Sequence, residues 1–319
     1  MSIIDNKKSM YCKFSVIIPH YNIPDLLMRC LKSIPVSKDI QVIVVDDNSP
    51  DADTYLDRYP ELSRPYLEFI RTSKGGGAGY ARNIGLDHAV GEWVIFADAD
   101  DYFSDNAYNL IFSKVSSDAD IVFYRHKKML PEGYTASTDN EFFLDRVFAA
   151  YFSLGDEWPI RFRYDVPWGR MIKRSLITSH NIHFDEIRYG NDALFSVYIG
   201  YYAKKIEVVD MILYYYTFRS KSLSSDFCSK PDELKVRSDV AFRIDLFLLN
   251  HHLCRQRKLS GYLIRMLKQD RNLFSFYFNN RLDDVYPSRM TAIRDICGSL
   301  SLKGKVAFFL YSLLVWKKG

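Results

Sequence analysis

Cysteine is scarce in this chain of 319 residues and provides no site of its own. The 5 cysteines are odd in number and far apart, and none stands in a CxxC pair. A disulfide framework needs an even set of cysteines and a zinc site needs paired ligands, so neither is indicated. We therefore expect a protein of a reducing compartment, the cytoplasm.

Long apolar runs are missing as well. The nearest approach, the segment 306–316, falls short of the roughly 18 apolar residues that a membrane span requires. Polar and charged residues at 5–8 interrupt the N-terminus before it can form the apolar core of a signal peptide, so export is not expected. The net charge of +4 and the pI near 8.6 lack the basic excess of a nucleic-acid binder, and we expect no nucleic-acid partner.

What the first third of the chain does contain is an alternation of short apolar runs with helical stretches. The runs are rich in β-branched residues and several are apolar on both faces, which is typical of parallel strands covered by helices. The predicted strands are 14–19, 40–47, 66–72 and 92–98, and the predicted helices are 24–34, 50–59 and 79–90. This pattern predicts an α/β fold with an open, mostly parallel sheet flanked by helices. The tail from about Asp232 onward is predicted to be mostly helical.

Unusual side chains follow each predicted strand. The four strands lead into the sequences PHYN, DDNS, KGGGAG and DADD. Ligands of open α/β sheets bind outside the carboxyl ends of the strands, where such loops converge. The sequence therefore predicts a binding site at this edge of the sheet.

The DADD sequence predicts a metal site. Side chains two residues apart on an extended backbone point the same way, so Asp98 and Asp100 can converge while Ala99 faces the other side. Mg²⁺ and Mn²⁺ prefer oxygen ligands, and Mg²⁺ commonly takes one or two carboxylates together with water and substrate phosphates. The alternative is a polar turn whose aspartates cap a helix beginning near Ser104, and for Asp101 the two interpretations are even.

The other three loops predict contacts with a nucleotide. Tyr21 has a ring that can stack on a base, or pack under a loop. An aspartate of the pair Asp46 and Asp47 can accept a hydrogen bond from a base or ribose, or simply form a turn with Ser49. The glycines before a helix allow close backbone approach, and Arg82 can attract phosphate or pair with a structural carboxylate. KGGGAG matches neither the GxGxxG nor the GxxxxGK[ST] fingerprint.

Five motifs together resemble family 2 glycosyltransferases with the GT-A fold. FSVIIPHYN, QVIVVDDNS, GGGAGYARNIGL, GEWVIFADADD and FDEIRYGNDALF have the order and spacing of that family, over roughly residues 14–220. The resemblance implies an inverting transferase that moves a hexose or N-acetylhexosamine, with a UDP-sugar as the expected donor. It also implies a divalent cation, Mn²⁺ or Mg²⁺, and a glycan or polyprenyl-diphosphate-linked acceptor in surface polysaccharide synthesis.

The resemblance assigns roles to individual residues. Asp98 and Asp100 match the metal-binding DxD motif, with Asp98 closer to the ribose. Trp168 and Arg219 match positions on the acceptor side. The nucleotide site that the resemblance implies comprises Pro19, Tyr21, Asp47, Arg82, Asp98 and Ala99.

Asp192 matches the acidic residue that acts as general base. An inverting displacement needs one carboxylate to take the acceptor proton, and no covalent intermediate. The family usually has Glu-Asp where this chain has Asn191-Asp192, so the acting residue is kept. Asp185 and Glu186 are fallback candidates, and Asp192 can alternatively cap the helix that follows.

The resemblance divides the chain into three parts. Residues 1–125 are expected to bind the nucleotide sugar, 126–230 the acceptor, and 231–319 to form a mostly helical region. Basic residues between 161 and 174 indicate either a contact surface or a solvated face. The segment 303–318, with lysines around an aromatic core, predicts either peripheral contact with an anionic membrane at its inner face or a core helix.

Two other functions are compatible with an α/β sheet. A sugar nucleotidyltransferase would show a glycine-rich, basic loop directly after the first strand, where this chain has PHYNIPD. A non-catalytic nucleotide-sugar or glycan-binding module would not need a base, which the presence of Asp192 disfavours.

Overall fold

The computed structural model describes residues 12–130, 139–217, 231–255 and 258–298. The chain forms two units, Met1–Ser222 and Leu223–Gly319. Arg219 and the segment 303–318, for which the sequence predicts an acceptor contact and a membrane contact, lie outside the described residues.

An eight-stranded sheet organises the first unit. Its strands are β1 (Phe14–His20), β2 (Ile40–Asp46), β3 (Leu67–Arg71), β4 (Trp93–Phe96), β5 (Tyr102–Phe103), β6 (Ile121–Met129), β7 (Arg170–Lys173) and β8 (Ile206–Thr217). Their order is β3-β2-β1-β4-β7-β6-β8-β5. The strands β3, β2, β1 and β4 run parallel, whereas β7 is antiparallel to both of its neighbours. This α/β architecture confirms the mostly parallel sheet that the sequence predicts.

The apolar runs of the sequence become the buried centre of this sheet. Every residue of β1, β2 and β4 is buried. Such strands have no solvent-facing side, because helices cover both faces of the sheet. The rigid centre fixes where each strand ends, and therefore where the loops that follow it begin.

Eight α-helices accompany the sheet within the described residues of the first unit. They are α1 (Pro24–Lys32), α2 (Tyr55–Arg58), α3 (Gly77–His88), α4 (Ala107–Ser113), α5 (Asp139–Leu154), α6 (Trp158–Phe162), α7 (Arg174–Ser179) and α8 (Ala193–Tyr202). The predicted helix 50–59 is wrong in extent, because α2 has four residues and lies between the 3-10 turns Ala52–Thr54 and Pro60–Ser63. Pro60 disfavours helical geometry at Tyr59, which adopts φ −130° and ψ 84°.

The strand β8 is continuous from Ile206 to Thr217, although its pairing is irregular. It pairs in parallel with β6, and the register shifts where Tyr124 is opposite Val209 but Arg125 is opposite Ile212. A second shift follows, because His126 is opposite Tyr214, so β8 has three extra residues here and bulges while remaining one strand. The end of β8 thereby reaches the loop that carries the DADD sequence.

The second unit is helical, as predicted. Its helices are α9 (Pro231–Asn250), α10 (Leu259–Gln269), α11 (Arg271–Asn280), α12 (Leu282–Val285) and α13 (Arg289–Gly298). They enclose a core of their own that includes Leu263, Met266 and Phe274. Among the described residues of the chain, no helix combines the length and apolarity needed to cross a membrane.

Candidate active site

The carboxyl ends of β1, β2 and β4 and the beginning of α3 meet at one edge of the sheet. Asp47 lies at this edge and holds the glycine loop. Its two carboxylate oxygens accept the backbone N–H groups of Gly76 and Gly77 at 2.8 and 2.7 Å. Gly77 has a φ of +84°, which other residues rarely adopt. A carboxylate has about four lone-pair sites, so two remain for a ligand. The contact of Asp47 with a base stays a prediction.

The neighbouring Asp46 is turned into the protein. It is completely buried and accepts hydrogen bonds from Ser49 and from His20. Burial alone raises the pKa of Asp46, but these hydrogen bonds outweigh it and hold the pKa below its ordinary value. For Asp46 the structural interpretation of the DDNS turn therefore holds.

The other predicted nucleotide contacts differ in exposure. Tyr21 directly follows β1 and is 56% exposed, so its ring can take part in stacking. Pro19 lies buried within β1, and Ala99 is 2% exposed. Neither of these two side chains lines an open surface, and the contact of both residues with a nucleotide stays a prediction.

Arg82 connects two parts of the site. It lies on α3, is 5% exposed, and donates to Asp98 Oδ1 at 2.6 Å and to Asn191 Oδ1 at 2.8 Å. The ring of Phe184 lies 5.3 Å from its guanidinium carbon. The sequence left open whether Arg82 pairs with a carboxylate, and it does so with one of the predicted metal ligands.

The aspartates of DADD have different surroundings. The side chain of Asp98 is 30% exposed, and the backbone carbonyl of Asp100 accepts from Arg29 and from the hydroxyl of Thr217. Asp101 is buried and accepts from the Tyr214 hydroxyl at 2.9 Å and the Thr217 backbone N–H at 2.7 Å. Burial and the two neighbouring aspartates raise the pKa of Asp101 well above its ordinary value.

Asp101 does not cap a helix. The helix α4 begins at Ala107, three residues after Ser104, and the side chain of its N-cap residue Asn106 does not cap it. Asp101 instead joins the DADD loop to the end of β8. The Tyr214 hydroxyl also accepts the Asp98 backbone N–H at 2.8 Å, so the same tyrosine fixes the start of the loop.

The donor set fits the metal that the resemblance implies. Asp98 and Asp100 provide the hard oxygen ligands that Mg²⁺ and Mn²⁺ prefer. Within the described residues, three or more histidine, cysteine or acidic side chains nowhere form a metal cage. A cation at this edge would take two protein carboxylates and complete its shell with water and substrate oxygens.

Asp192, the predicted base, directly precedes the first residue of α8. Its carboxylate does not cap the helix, although its position is the N-cap. Burial raises the pKa of Asp192 to about 6, the Arg82 guanidinium counteracts this rise, and Asp165 and Asp98 add to it. Arg82 and Asp98, which are hydrogen-bonded to each other, thus both influence the pKa of the predicted base.

Two residues that the sequence did not single out position the loop before Asp192. Asn83 forms hydrogen bonds with both backbone groups of Phe184, at 2.8 and 3.0 Å. Gly79 leaves room for the same loop, because a Cβ on it would lie 2.1 Å from the Asp185 carbonyl oxygen. Two features of the sequence could have pointed to these residues: Asn83 is adjacent to Arg82, and Gly79 is the last glycine of the glycine-rich run.

The basic stretch 161–174 is not a solvated face. Arg170 is 1% exposed and donates to Ser196 Oγ at 2.7 Å. Arg161 donates to the carbonyls of Gly200 and Ala203 at the end of α8. Burial lowers the pKa of Arg170 to about 10. Arg161 and Arg170 thus hold α8 in place, and no basic residue of the stretch 161–174 is fully exposed.

Trp168 lies in an aromatic cluster and not on an open surface. It is 6% exposed, and its ring stacks between Tyr214 and Tyr216 at 5.3 and 5.1 Å. Tyr214 in turn contacts the DADD loop. The structure therefore gives Trp168 a supporting position behind the DADD loop, and its contact with an acceptor stays a prediction.

Comparison with known proteins gives a family match over residues 15–179, to the model described as glycosyl transferase family 2. The chain is 31% identical over 217 residues to a poly(ribitol-phosphate) beta-glucosyltransferase of Bacillus spizizenii, covering 64% of this chain and 32% of that protein. It is 27% identical over 241 residues to the poly(ribitol-phosphate) beta-N-acetylglucosaminyltransferase TarS of Staphylococcus aureus, covering 73% of this chain and 40% of that protein. The chain thus spans less than half the length of either relative.

A similar fold occurs in a crystal structure of S. aureus TarS 1–349 in complex with UDP-GlcNAc. The TM-score is 0.60 at 22% identity, with 92% of this chain and 82% of that chain covered. This likeness confirms the predicted GT-A fold.

Proposed function

Because the chain belongs to glycosyltransferase family 2, we propose that it transfers a hexose or N-acetylhexosamine from a UDP-sugar to a hydroxyl of a glycan or lipid-linked acceptor, in surface polysaccharide synthesis. The chain belongs to a family of glycosyltransferases, as the sequence predicts. The UDP-GlcNAc complex of TarS supports the choice of donor, and the two polymer-modifying relatives support the choice of acceptor. Family membership speaks against the nucleotidyltransferase, and the presence of Asp192 speaks against the non-catalytic module.

One observation carries the mechanism that we propose: Asp192 is a partly buried carboxylate whose pKa is raised to about 6 beside Arg82 and Asp98. Such a group is ionised at neutral pH and is still a better base than an ordinary aspartate. It would take the proton of the acceptor hydroxyl while the acceptor oxygen forms a bond to the anomeric carbon. The bond from that carbon to the diphosphate breaks in the same step, so the configuration inverts.

The remaining side chains would bind the donor. Tyr21 would stack on the base, and Asp47 would accept a hydrogen bond from it with the lone pairs that the glycine loop leaves free. Arg82 would place its positive charge near the diphosphate.

Asp98 and Asp100 would hold a divalent cation. When bound, the cation would stabilise the negative charge of the departing diphosphate. Arg82 already binds one oxygen of Asp98 and would keep that carboxylate oriented. Contact of the C-terminal segment 303–318 with an anionic membrane is part of the proposal but does not carry it.

A thermal-shift screen tests this proposal. UDP, GDP, CDP and dTDP would each be added with Mn²⁺, Mg²⁺ or a chelator to the wild type, to Asp100→Ala and to Asp105→Ala. Asp105 is an exposed aspartate near the metal-binding loop and is the matched control. A ligand that binds only the folded state raises the Tm by mass action.

We expect UDP to raise the Tm of the wild type and the control only when metal is present, and to leave Asp100→Ala unchanged. Stabilisation by another diphosphate alone would correct the donor. Stabilisation of all three proteins in the presence of chelator would contradict the metal site, and no stabilisation at all would contradict nucleotide binding.

A further inference from the structure

A buried hydrogen-bond network joins the loop after β1 to the loop after β2. The Ile23 backbone N–H donates to His20 Nε2 at 3.2 Å, and His20 Nδ1 donates to Asp46 Oδ2 at 2.7 Å. Ser49 donates to Asp46 through its hydroxyl at 2.6 Å and its backbone N–H at 2.8 Å. The Ser49 hydroxyl oxygen also accepts the Asn22 backbone N–H at 2.8 Å. Asp46 is thus the common acceptor, and both loops are tied to it.

The chemistry of residue 20 is specific. The side chains of His20 and Asp46 have no exposed surface. Because Ile23 donates to Nε2, that nitrogen is an acceptor and the ring carries its proton on Nδ1. The flat His20 ring therefore accepts a hydrogen bond from Ile23 in the loop after β1 and donates one to Asp46 at the end of β2. An apolar residue would leave both Ile23 and Asp46 without this partner in a dry environment, which is costly.

The network surrounds the residues proposed to bind the base. Tyr21 lies between His20 and Asn22, and the Asp47 backbone N–H donates to the His20 carbonyl at 2.8 Å. Asn22 and Asn48 both have left-handed backbones, with φ of 51° and 63°. Left-handed residues other than glycine are uncommon and persist where surrounding contacts fix them.

We propose that His20 is a positioning residue for the nucleotide base: through Asp46 and Ile23 it fixes the distance and orientation between Tyr21 and Asp47. This inference rests on the proposed function, because it takes these two side chains as the walls of the base site. It adds that the selectivity of the site depends on a histidine that does not touch the nucleotide.

The test compares three proteins with the wild type. His20→Phe keeps a flat ring and removes both hydrogen bonds, whereas His20→Asn keeps an N–H donor near the position of Nδ1. The control is His88→Phe, since His88 forms a pair of the same length, 2.7 Å, with Glu68 near the start of β3, at the opposite edge of the sheet. Binding of UDP, GDP, CDP and dTDP with Mn²⁺ would be measured by calorimetry, and KM and kcat with the donor by kinetics.

We expect His20→Phe to raise the Kd of the preferred diphosphate and the KM for the donor about ten-fold, while kcat changes less than about two-fold. His20→Asn should recover part of this loss, and His88→Phe should behave as the wild type. A KM effect that the asparagine rescues separates positioning from a general loss of stability.

Each other outcome has a defined meaning. If the wild type binds none of the four diphosphates, the proposed function fails. If the wild type binds one and a folded His20→Phe binds it equally well, the inference alone is wrong. Should His20→Phe not fold, His20→Asn and Ser49→Ala decide, because each cuts one link to the loop after β1; unchanged Kd values in both would overturn the inference.

Discussion

Replacing Asp192 by asparagine should lower activity and raise stability, two effects of opposite sign expected of a partly buried base. Removing a general base costs about 10²–10⁴-fold in rate, so kcat of Asp192→Asn should fall by at least about 100-fold. In the wild type, kcat/KM should fall about ten-fold per pH unit below the pKa, which is about 6. The nearly isosteric amide should leave binding of the diphosphate intact.

The stability effect follows from the same pKa. Folding raises the pKa of Asp192 from 3.8 to about 6, so the folded state binds this proton more tightly than the unfolded state. The resulting stabilisation is complete below pH 3.8 and is lost as the pH rises through about 6. A shift of this size corresponds to at most about 3 kcal/mol, reduced by the solvent that reaches a partly exposed group. Asp192→Asn should therefore unfold at higher temperature than the wild type at alkaline pH, and this advantage should shrink toward acidic pH.

Initial rates and thermal melts of Asp192→Asn across pH provide the assay. Glu186→Gln is the matched control, because Glu186 is an exposed acid in the same loop and accepts from Asn83 at 3.3 Å. It should keep nearly full activity. Full activity of Asp192→Asn would refute the base assignment, and activity lost in Glu186→Gln instead would transfer the role to that residue. A lower Tm of Asp192→Asn at alkaline pH would refute the electrostatic reasoning even if activity is lost.

Two further substitutions test how the site is held. Gly79→Ala would place a Cβ 2.1 Å from the backbone oxygen of Asp185 and should displace the loop before the base, lowering kcat about ten-fold or more in steady-state kinetics. Gly261→Ala is the control, because no atom lies within 4 Å of a Cβ at that position. Alanine at this position of α10 should stabilise the protein by about 0.5–1 kcal/mol and leave the kinetics unchanged. If Gly79→Ala and Gly261→Ala showed equal kinetics, the steric argument would be contradicted. Arg82→Lys keeps the charge but loses the two-pronged contact, so the KM for the donor should rise about ten-fold with an unchanged circular dichroism spectrum; an unchanged KM would show that charge alone suffices.

The central strands could be predicted from the sequence to within about two residues at each end. Continuous β-branched runs leave few alternatives once both faces must be buried. The site followed from the same logic, since Asp47 and Asp98 come directly after strands that end at one edge of the sheet. Arg170 could not be placed in this way. It begins the four-residue strand β7, which ends with Lys173. A strand this short shows no clear alternation, so the sequence does not indicate which of the two basic side chains is buried.

The asparagine at residue 191 has a physical consequence for the base. Asn191 is buried and binds Arg82 through a neutral oxygen, so Asp98 is the carboxylate that takes the direct hydrogen bond of this guanidinium. A glutamate there, as the family resemblance leads one to expect, would add a negative charge beside Asp192 and raise its pKa further. With the neutral amide, the positive charge of Arg82 counteracts the burial of Asp192 more fully and the base stays ionised at neutral pH. The departure from the Glu-Asp pair thus keeps the carboxylate proposed as the base and favours its ionised form.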